Sequence, residues 1–283
     1  WRMRGEAPSQ HDFDHVYTRQ LYAGFGHKQF GELTYGNMVT ITDEVTQSDL
    51  ANTYSLTDGL LETSARRVAQ YVYNGDYGSN KVKFGAYYGG SSKRDIKNVD
   101  LKNNRKNTWG TGLIFDHEID SIQNVTVAAG FTREISENAD KTAYYSNAYA
   151  LGLAYNFVHT TYGLDLAHKD TKNKGGAGNK VKNNEVTAVI RQGLNEDWNV
   201  YAMYSYKTEK TLPAGSAYSK STDRQFLVGT EYYVFKQGSV KVKPFIEWQA
   251  TRTKYENTFD KDSGKQLDRS RDFKTVIGLR AYW

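Results

Sequence analysis

Five carboxylates, Asp43, Glu44, Asp49, Asp58 and Glu62, fall between Asn37 and Ser64, a stretch that contains no lysine or arginine. The stretch is too long for an ordinary connection and lacks strand alternation, so it is either a functional loop or a disordered one. Acid catalysis would need partners, and they are not in view. The histidines His11, His15, His27, His117, His159 and His168 fall mostly near turns or strand ends, with no Gly-x-Ser-x-Gly or metal-ligand spacing beside them. No catalytic residue, metal or cofactor is expected. Fixed carboxylates do other work when they face guanidinium groups across water: they set up a field that orients dipolar solutes and weights ion passage. That role requires a wall on which both sets of charges are held.

Period-two alternation along the whole chain supplies such a wall. Tyr149, Leu151, Leu153, Tyr155 and Phe157 interleave with Ala148, Ala150, Gly152, Ala154 and Asn156. Val240, Val242, Ile246, Trp248 and Ala250 share one face, against Lys241, Lys243, Glu247, Gln249 and Thr251 on the other, and charge on that second face requires water. Composition agrees: 22 Tyr, 12 Phe and 5 Trp accompany a mean hydropathy of -0.73, a chain rich in aromatics yet polar on average. A barrel with lipid outside and water inside has that composition, whereas a soluble domain hides its apolar residues in a core. No apolar run is long enough for a membrane-spanning helix, so only a closed barrel could cross a bilayer. The formal charge of +5 is scattered among acids rather than gathered in a tract, which argues against nucleic-acid binding.

The alternation predicts strands over residues 16–25, 30–38, 66–73, 81–89, 109–116, 125–135, 144–157, 161–168, 185–194, 198–208, 223–234, 240–253 and 271–283, with bounds good to about two to four residues. Short connections (26–29, 117–124, 158–160, 195–197, 235–239) alternate with long polar ones (90–107, 169–184, 209–222, 254–270), the plan of short periplasmic turns and long external loops. Tyr73, Phe157, Tyr162, Trp198 and Trp283 sit at strand ends beside the short turns on the predicted outer face, as an aromatic girdle would. Residues Trp1 to Gly5 read as the middle of a strand. Bacterial barrels have even strand numbers, so about three N-terminal strands are expected to be missing or incomplete.

Arg19-Gln20-Leu21-Tyr22-Ala23-Gly24-Phe25, then Phe30-Gly31-Glu32-Leu33-Thr34-Tyr35-Gly36-Asn37, closely resembles the trimeric general porins of Gram-negative outer membranes. Asn199-Val200-Tyr201 after Asn195-Glu196-Asp197, Lys243-Pro244-Phe245-Ile246 and the closing Val276-Ile277-Gly278-Leu279-Arg280-Ala281-Tyr282 agree, and Trp283 stands where the family usually ends in Phe. The resemblance implies an all-β fold, an antiparallel transmembrane β-barrel of the roughly 16-stranded porin type. A single domain over residues 1–283 is expected, with a constriction loop at 37–65 folded inward. It further implies that Asp49 is the best match for a constriction acid, with Asp43 and Glu44 weaker candidates. Arg19 and Arg66 match wall arginines; Arg67 has the other parity, at a place where strand phase can slip. Arg2, Arg4, Lys241, Lys243, Glu247 and Arg280 are expected to line the lumen. The implied function is passive diffusion of ions and small hydrophilic solutes through a homotrimer in contact with membrane lipid and lipopolysaccharide.

Three other functions fit the sequence less well. An oligosaccharide-specific channel would carry an aromatic track along the lumen, whereas most aromatics here have outward phase. An outer-membrane hydrolase would need the histidine chemistry already found wanting. A soluble β-sandwich adhesin would have polar outer faces.

Overall fold

The computed structural model of the chain describes residues 2–4, 15–17, 20–92, 103–138, 143–173, 180–212, 218–257 and 266–283. A short pair, β1 (Arg2–Arg4) and β2 (His15–Tyr17), stands apart from the main sheet. The main sheet starts with β3 (Leu21–His27) and β4 (Gly31–Val39), followed by one turn of 3-10 helix (Ile41–Val45). It continues through β5 (Ser64–Tyr77), β6 (Asn80–Gly89), β7 (Asn103–Asp120), β8 (Gln123–Asn138), β9 (Ala143–Phe157) and β10 (Thr160–Asn173). Then come β11 (Lys180–Gly193), β12 (Trp198–Leu212), β13 (Ser219–Tyr232), β14 (Phe235–Gln237), β15 (Val240–Asn257) and β16 (Gln266–Tyr282).

Every pairing is antiparallel, and each joins chain neighbours except that β13 pairs with β15 past the short β14, in one 14-stranded sheet whose edges are β3 and β16. Among the described residues those two edges are not paired with each other. The sheet nevertheless curls, because a single segment, residues 40–63, meets inner-face side chains on strands from β5 round to β16.

Burial is inverted relative to a soluble domain. Phe84, Leu113, Leu151, Ile190, Tyr204, Phe226, Ile246 and Trp248 are exposed on the convex face, while Thr108, Thr132, Asp165, Glu185, Thr187, Glu231 and Glu247 are buried on the concave one. An apolar outside and polar inside is what lipid on one side and water on the other select. Tyr73, Phe157, Tyr162, Trp198 and Trp283 lie at strand ends by the short turns. Tyr73 shares a 2.9 Å hydrogen bond with Tyr77, and Tyr155 stacks with both Phe157 and Tyr162.

The strands overrun the hydrophobic alternation at the long-loop end. The strand expected over 161–168 continues to Asn173, that over 185–194 begins at Lys180, and that over 109–116 begins at Asn103. In these extensions both faces meet water, so the ladder continues while the apolar period vanishes: Lys169, Asp170, Thr171 and Lys172 pair with β9 and β11 throughout. At the other end of the chain, the strand expected over 16–25 is divided between β2 and β3.

Pro244 is accommodated for a specific reason. On one side β15 pairs first with β14, as far as Val242, and then with β13 from Phe245, so the proline falls where that ladder is interrupted; on the other side it faces Leu279 of β16. Its missing N–H therefore leaves no ladder acceptor unmatched there.

Placing a lysine on the convex face tests the inversion. Ile246→Lys is expected to destabilise the folded barrel by about 2–4 kcal/mol, read from urea unfolding in lipid vesicles. Lys241→Gln, on the opposite phase, is expected to stay within about 0.5 kcal/mol of the parent. Equal effects would mean that the faces are assigned wrongly.

Candidate functional site: a loop held across the barrel interior

Residues 40–63 leave β4 and return to β5 through a closed neck. Thr40 N donates to Thr63 O at 2.9 Å, Ile41 N to Gln70 Oε1 at 2.7 Å, and Thr42 Oγ1 to Glu62 O at 2.7 Å. Ile41, Val45 and Leu61 bury themselves against Met38, Val68, Tyr87, Ile114, Ala128 and Ala148, an apolar patch inside an otherwise polar wall. Full burial of each such aliphatic chain contributes about 1.5–3 kcal/mol. Further on, Leu56 packs with Val189, Met203 and Leu227.

A loop inside a barrel must find partners for its own N–H groups. Wall carboxylates supply them. Asp165 on β10 accepts from Gln47 N and Ser48 N, each at 2.8 Å, and from Ser48 Oγ at 2.5 Å. Glu247 on β15 accepts from the three consecutive amides of Asn52 (2.5 Å), Thr53 (3.0 Å) and Tyr54 (3.0 Å), and from the Tyr201 hydroxyl at 2.7 Å. Glu185 on β11 takes the Asp58 amide at 3.0 Å. The Asn52 side chain donates to Tyr201 and to Glu231, and Glu231 is held by Lys243 at 2.5 Å and Arg191 at 2.6 Å. Hydrogen bonds to charged groups are each worth about 1.5–3 kcal/mol net, so the clamp is strong at three separate points.

Close approach also requires missing side chains. A Cβ at Gly152 would lie 2.0 Å from Val45 O, and one at Gly163 would lie 2.6 Å from Gln47 O. Both glycines are on the inner face, where the loop backbone lies flat on β9 and β10.

The loop acids are matched to wall lysines: Glu44 to Lys83 at 2.5 Å, Glu62 to Lys169 at 3.3 Å, and Asp58 to Lys207. Asp43 and Glu44 sit exposed in the 3-10 turn. Asp49 keeps solvent contact yet is walled in by loop and barrel. That partial burial raises its carboxyl above the ordinary range, against the lowering influence of the Ser55 hydrogen bond and the Arg280 charge. Arg280 on β16 also reaches Asn52 Oδ1 at 3.5 Å.

Among the residues singled out from the sequence, Asp49, Lys243, Glu247 and Arg280 are thus gathered around the loop tip. Arg66 and Arg67 lie at the neck, on a β-bulge where the pairing with β4 shifts between Gly36 and Met38. Arg67 has φ 54 and reaches Ser91 O at 3.4 Å, while Arg66 O accepts from Arg105. Lys241 is exposed nearer the short-turn end. Arg19 and the side chains of Arg2 and Arg4 lie outside the described residues.

Sequence reasoning missed Asp165, Glu185, Asn52, Tyr201 and Glu231. The one signal of the four wall residues is a single acid or tyrosine at an inner-phase position, which simple lumen hydration explains equally well, and Asn52, in the loop, carries none.

A model described as Gram-negative porin matches residues 3–244. The chain belongs to the Gram-negative porins. Two major outer membrane proteins of Pasteurella multocida, the second from strain Pm70, are 24% and 22% identical to it. The alignments cover 95% and 86% of this chain and 68% and 67% of theirs. The trimer form of OmpT, an outer membrane protein of Vibrio cholerae, shares the fold with a TM-score of 0.64 at 16% identity, over 94% of this chain and 81% of that one. An anion-selective porin from Comamonas acidovorans shares it with a TM-score of 0.56 at 15% identity, over 90% and 74%. This porin is therefore an outer-membrane β-barrel channel, and family and relatives point away from an enzyme.

Glu247→Ala removes the acceptor for three loop amides, at about 1–3 kcal/mol for each donor left buried and unsatisfied. The expected result is chymotryptic cleavage after Tyr54 in an otherwise folded porin whose parent form resists the protease. Gly152→Val should give the same cut without removing a charge. Resistance in both variants would contradict the clamp.

Proposed function

We propose that this porin is a general diffusion channel, a water-filled passage for ions and small hydrophilic solutes, narrowed by the loop at 37–65 and assembled as a homotrimer. The observation that carries the reading is the loop itself, clamped along the inner wall from β5 to β16 with its tip beside Arg280. A clamped loop narrows a pore to a fixed diameter and leaves the outer face to lipid and lipopolysaccharide. The trimer is supported by the structural relative described as a trimer form.

At the constriction, Asp49 and Arg280 make the transverse field. The remaining loop acids Glu44, Asp58 and Glu62 are each neutralised by a wall lysine, so they narrow the passage without charging it. Asp43, Arg66 and Arg67 add charge at the neck. Lys241 tunes the lumen without defining a site.

Single-channel current in a planar bilayer under a salt gradient tests this, with the full-length mature porin. Current steps in groups of three, poorly saturating with salt, are expected. Asp49→Asn should move the reversal potential toward anion preference and Arg280→Gln toward cation preference. Because burial raises the Asp49 carboxyl, its charge is lost on acidification earlier than an exposed carboxylate would lose it. Lowering the pH should therefore mimic Asp49→Asn in the parent porin and have no further such effect in that variant. Absence of conductance from correctly folded barrels would sink the channel reading. Concentration-dependent block by one sugar would favour a substrate-specific channel instead.

A further inference from the structure

Three arginines stand side by side on the convex face. The register pairs Arg224 of β13 directly with Arg252 of β15, and Arg252 directly with Arg271 of β16. Directly opposed residues hold their Cβ atoms about 4.5–5.5 Å apart, and like charges placed so are destabilising. All three are exposed. Among the described residues, no hydrogen bond or ion pair engages any of the three guanidinium groups, and Arg224 has only the Tyr206 ring, 5.9 Å away. The adjacent acids do not help: Asp223 and Asp272 have the opposite phase, facing Thr253 and Thr251, and Asp272 is paired with Lys274 at 3.0 Å. The next row toward the long loops adds Arg269, opposite a Lys254 that is already paired with Glu256 at 2.5 Å.

The row on the other side of the arginines is Phe226, Ala250 and Phe273, with Trp248 one row further. Trp248 stacks on Phe273 with centroids 6.1 Å apart and meets Phe226 edge-on at 6.4 Å. These rings are exposed on the face the barrel turns to lipid. A cationic row directly above an aromatic platform, near the long-loop ends of three adjacent strands, has the polarity of an amphiphile's binding site. Planar guanidinium groups match the oxygens of a phosphate two at a time, and interfacial aromatics mark the boundary between hydrocarbon and headgroup.

We propose that Arg224, Arg252 and Arg271 form a binding site for the phosphate headgroup of a membrane lipid whose acyl chains lie along Phe226, Trp248 and Phe273. The bound phosphate supplies the counter-charge that the described residues do not. A free anion would need the arginines but not the rings, and the continuity of the two surfaces selects the lipid. The site depends on the outward phase of these strands and not on the solute selectivity proposed above.

The test places the full-length porin in phosphatidylcholine nanodiscs containing either lipid A or its phosphate-free derivative, with retained lipid counted per chain by native mass spectrometry. The parent porin is expected to retain lipid A in preference to the phosphate-free form. R224Q/R252Q/R271Q is expected to bind lipid A roughly a hundredfold more weakly, from the contribution of each basic residue at a charged membrane surface. R271Q alone should show a smaller loss. Unchanged conductance in both variants shows that the barrel is folded and keeps a failure of this inference separate from a failure of the channel reading. Equal retention of lipid A by parent and triple variant, or of both lipids by the parent, would overturn the proposal. Displacement by inorganic phosphate alone would assign the site to a free anion, and loss of the trimer without loss of lipid would assign it to a subunit contact; either result overturns it as well.

Discussion

A hydrocarbon layer offers no hydrogen bonds, so every backbone N–H and C=O that crosses it must be satisfied by a neighbouring strand. The antiparallel ladder from β3 to β16 follows from that constraint. So does the inverted burial, since a curled sheet with lipid outside can keep polar side chains only on its concave face. The loop at 40–63 meets the same constraint in a different setting. It lies where other strands are out of reach for pairing, and wall carboxylates take the place of a partner strand. Glu247 accepts three successive amides, and Asp165 and Glu185 capture those of Gln47, Ser48 and Asp58.

Two kinds of contact divide the work of holding that loop. Apolar side chains, Ile41, Val45 and Leu61 near β5 to β9 and Leu56 against Val189, Met203 and Leu227 further on, exclude water, while polar groups on β12, β13 and β15 fix the tip. The tip network is a closed set: Tyr201 donates to Glu247, Asn52 bridges Tyr201 and Glu231, and Lys243 with Arg191 balances Glu231. Charges spent on the wall cannot face the passage. In the proposed channel the transverse field is accordingly assigned to Asp49 and Arg280 near the tip, a narrower set than the number of lumen charges suggests.

The convex face carries its own division. The same alternation that sends Gln249 and Glu247 inward sends Trp248 and Ile246 outward, and near the long loops it sends arginines outward on three adjacent strands. The ladder extends beyond the apolar band, so one continuous sheet presents an aromatic belt and a cationic belt in succession. Water, headgroups and hydrocarbon are each met by a different part of the same strands.

The sequence by itself determined the fold class and the facing of residues within the apolar band, because a period of two against lipid leaves a direct mark on residue type. Ile246 and Trp248 were legible as outward and Lys243 and Glu247 as inward for that reason. It also marked out the loop, through its length and its unbalanced acids. The strand extensions at 103–108, 169–173 and 180–184 were not legible, because with water on both faces the alternation has no cause. The tertiary structure alone decided what Asp165, Glu185 and Glu247 hold and why Gly152 and Gly163 lack side chains. Those contacts join residues more than a hundred positions apart along the chain. A lone inward acid carries no local sign of whether its partner is water or a backbone amide brought to it from the far side of the barrel.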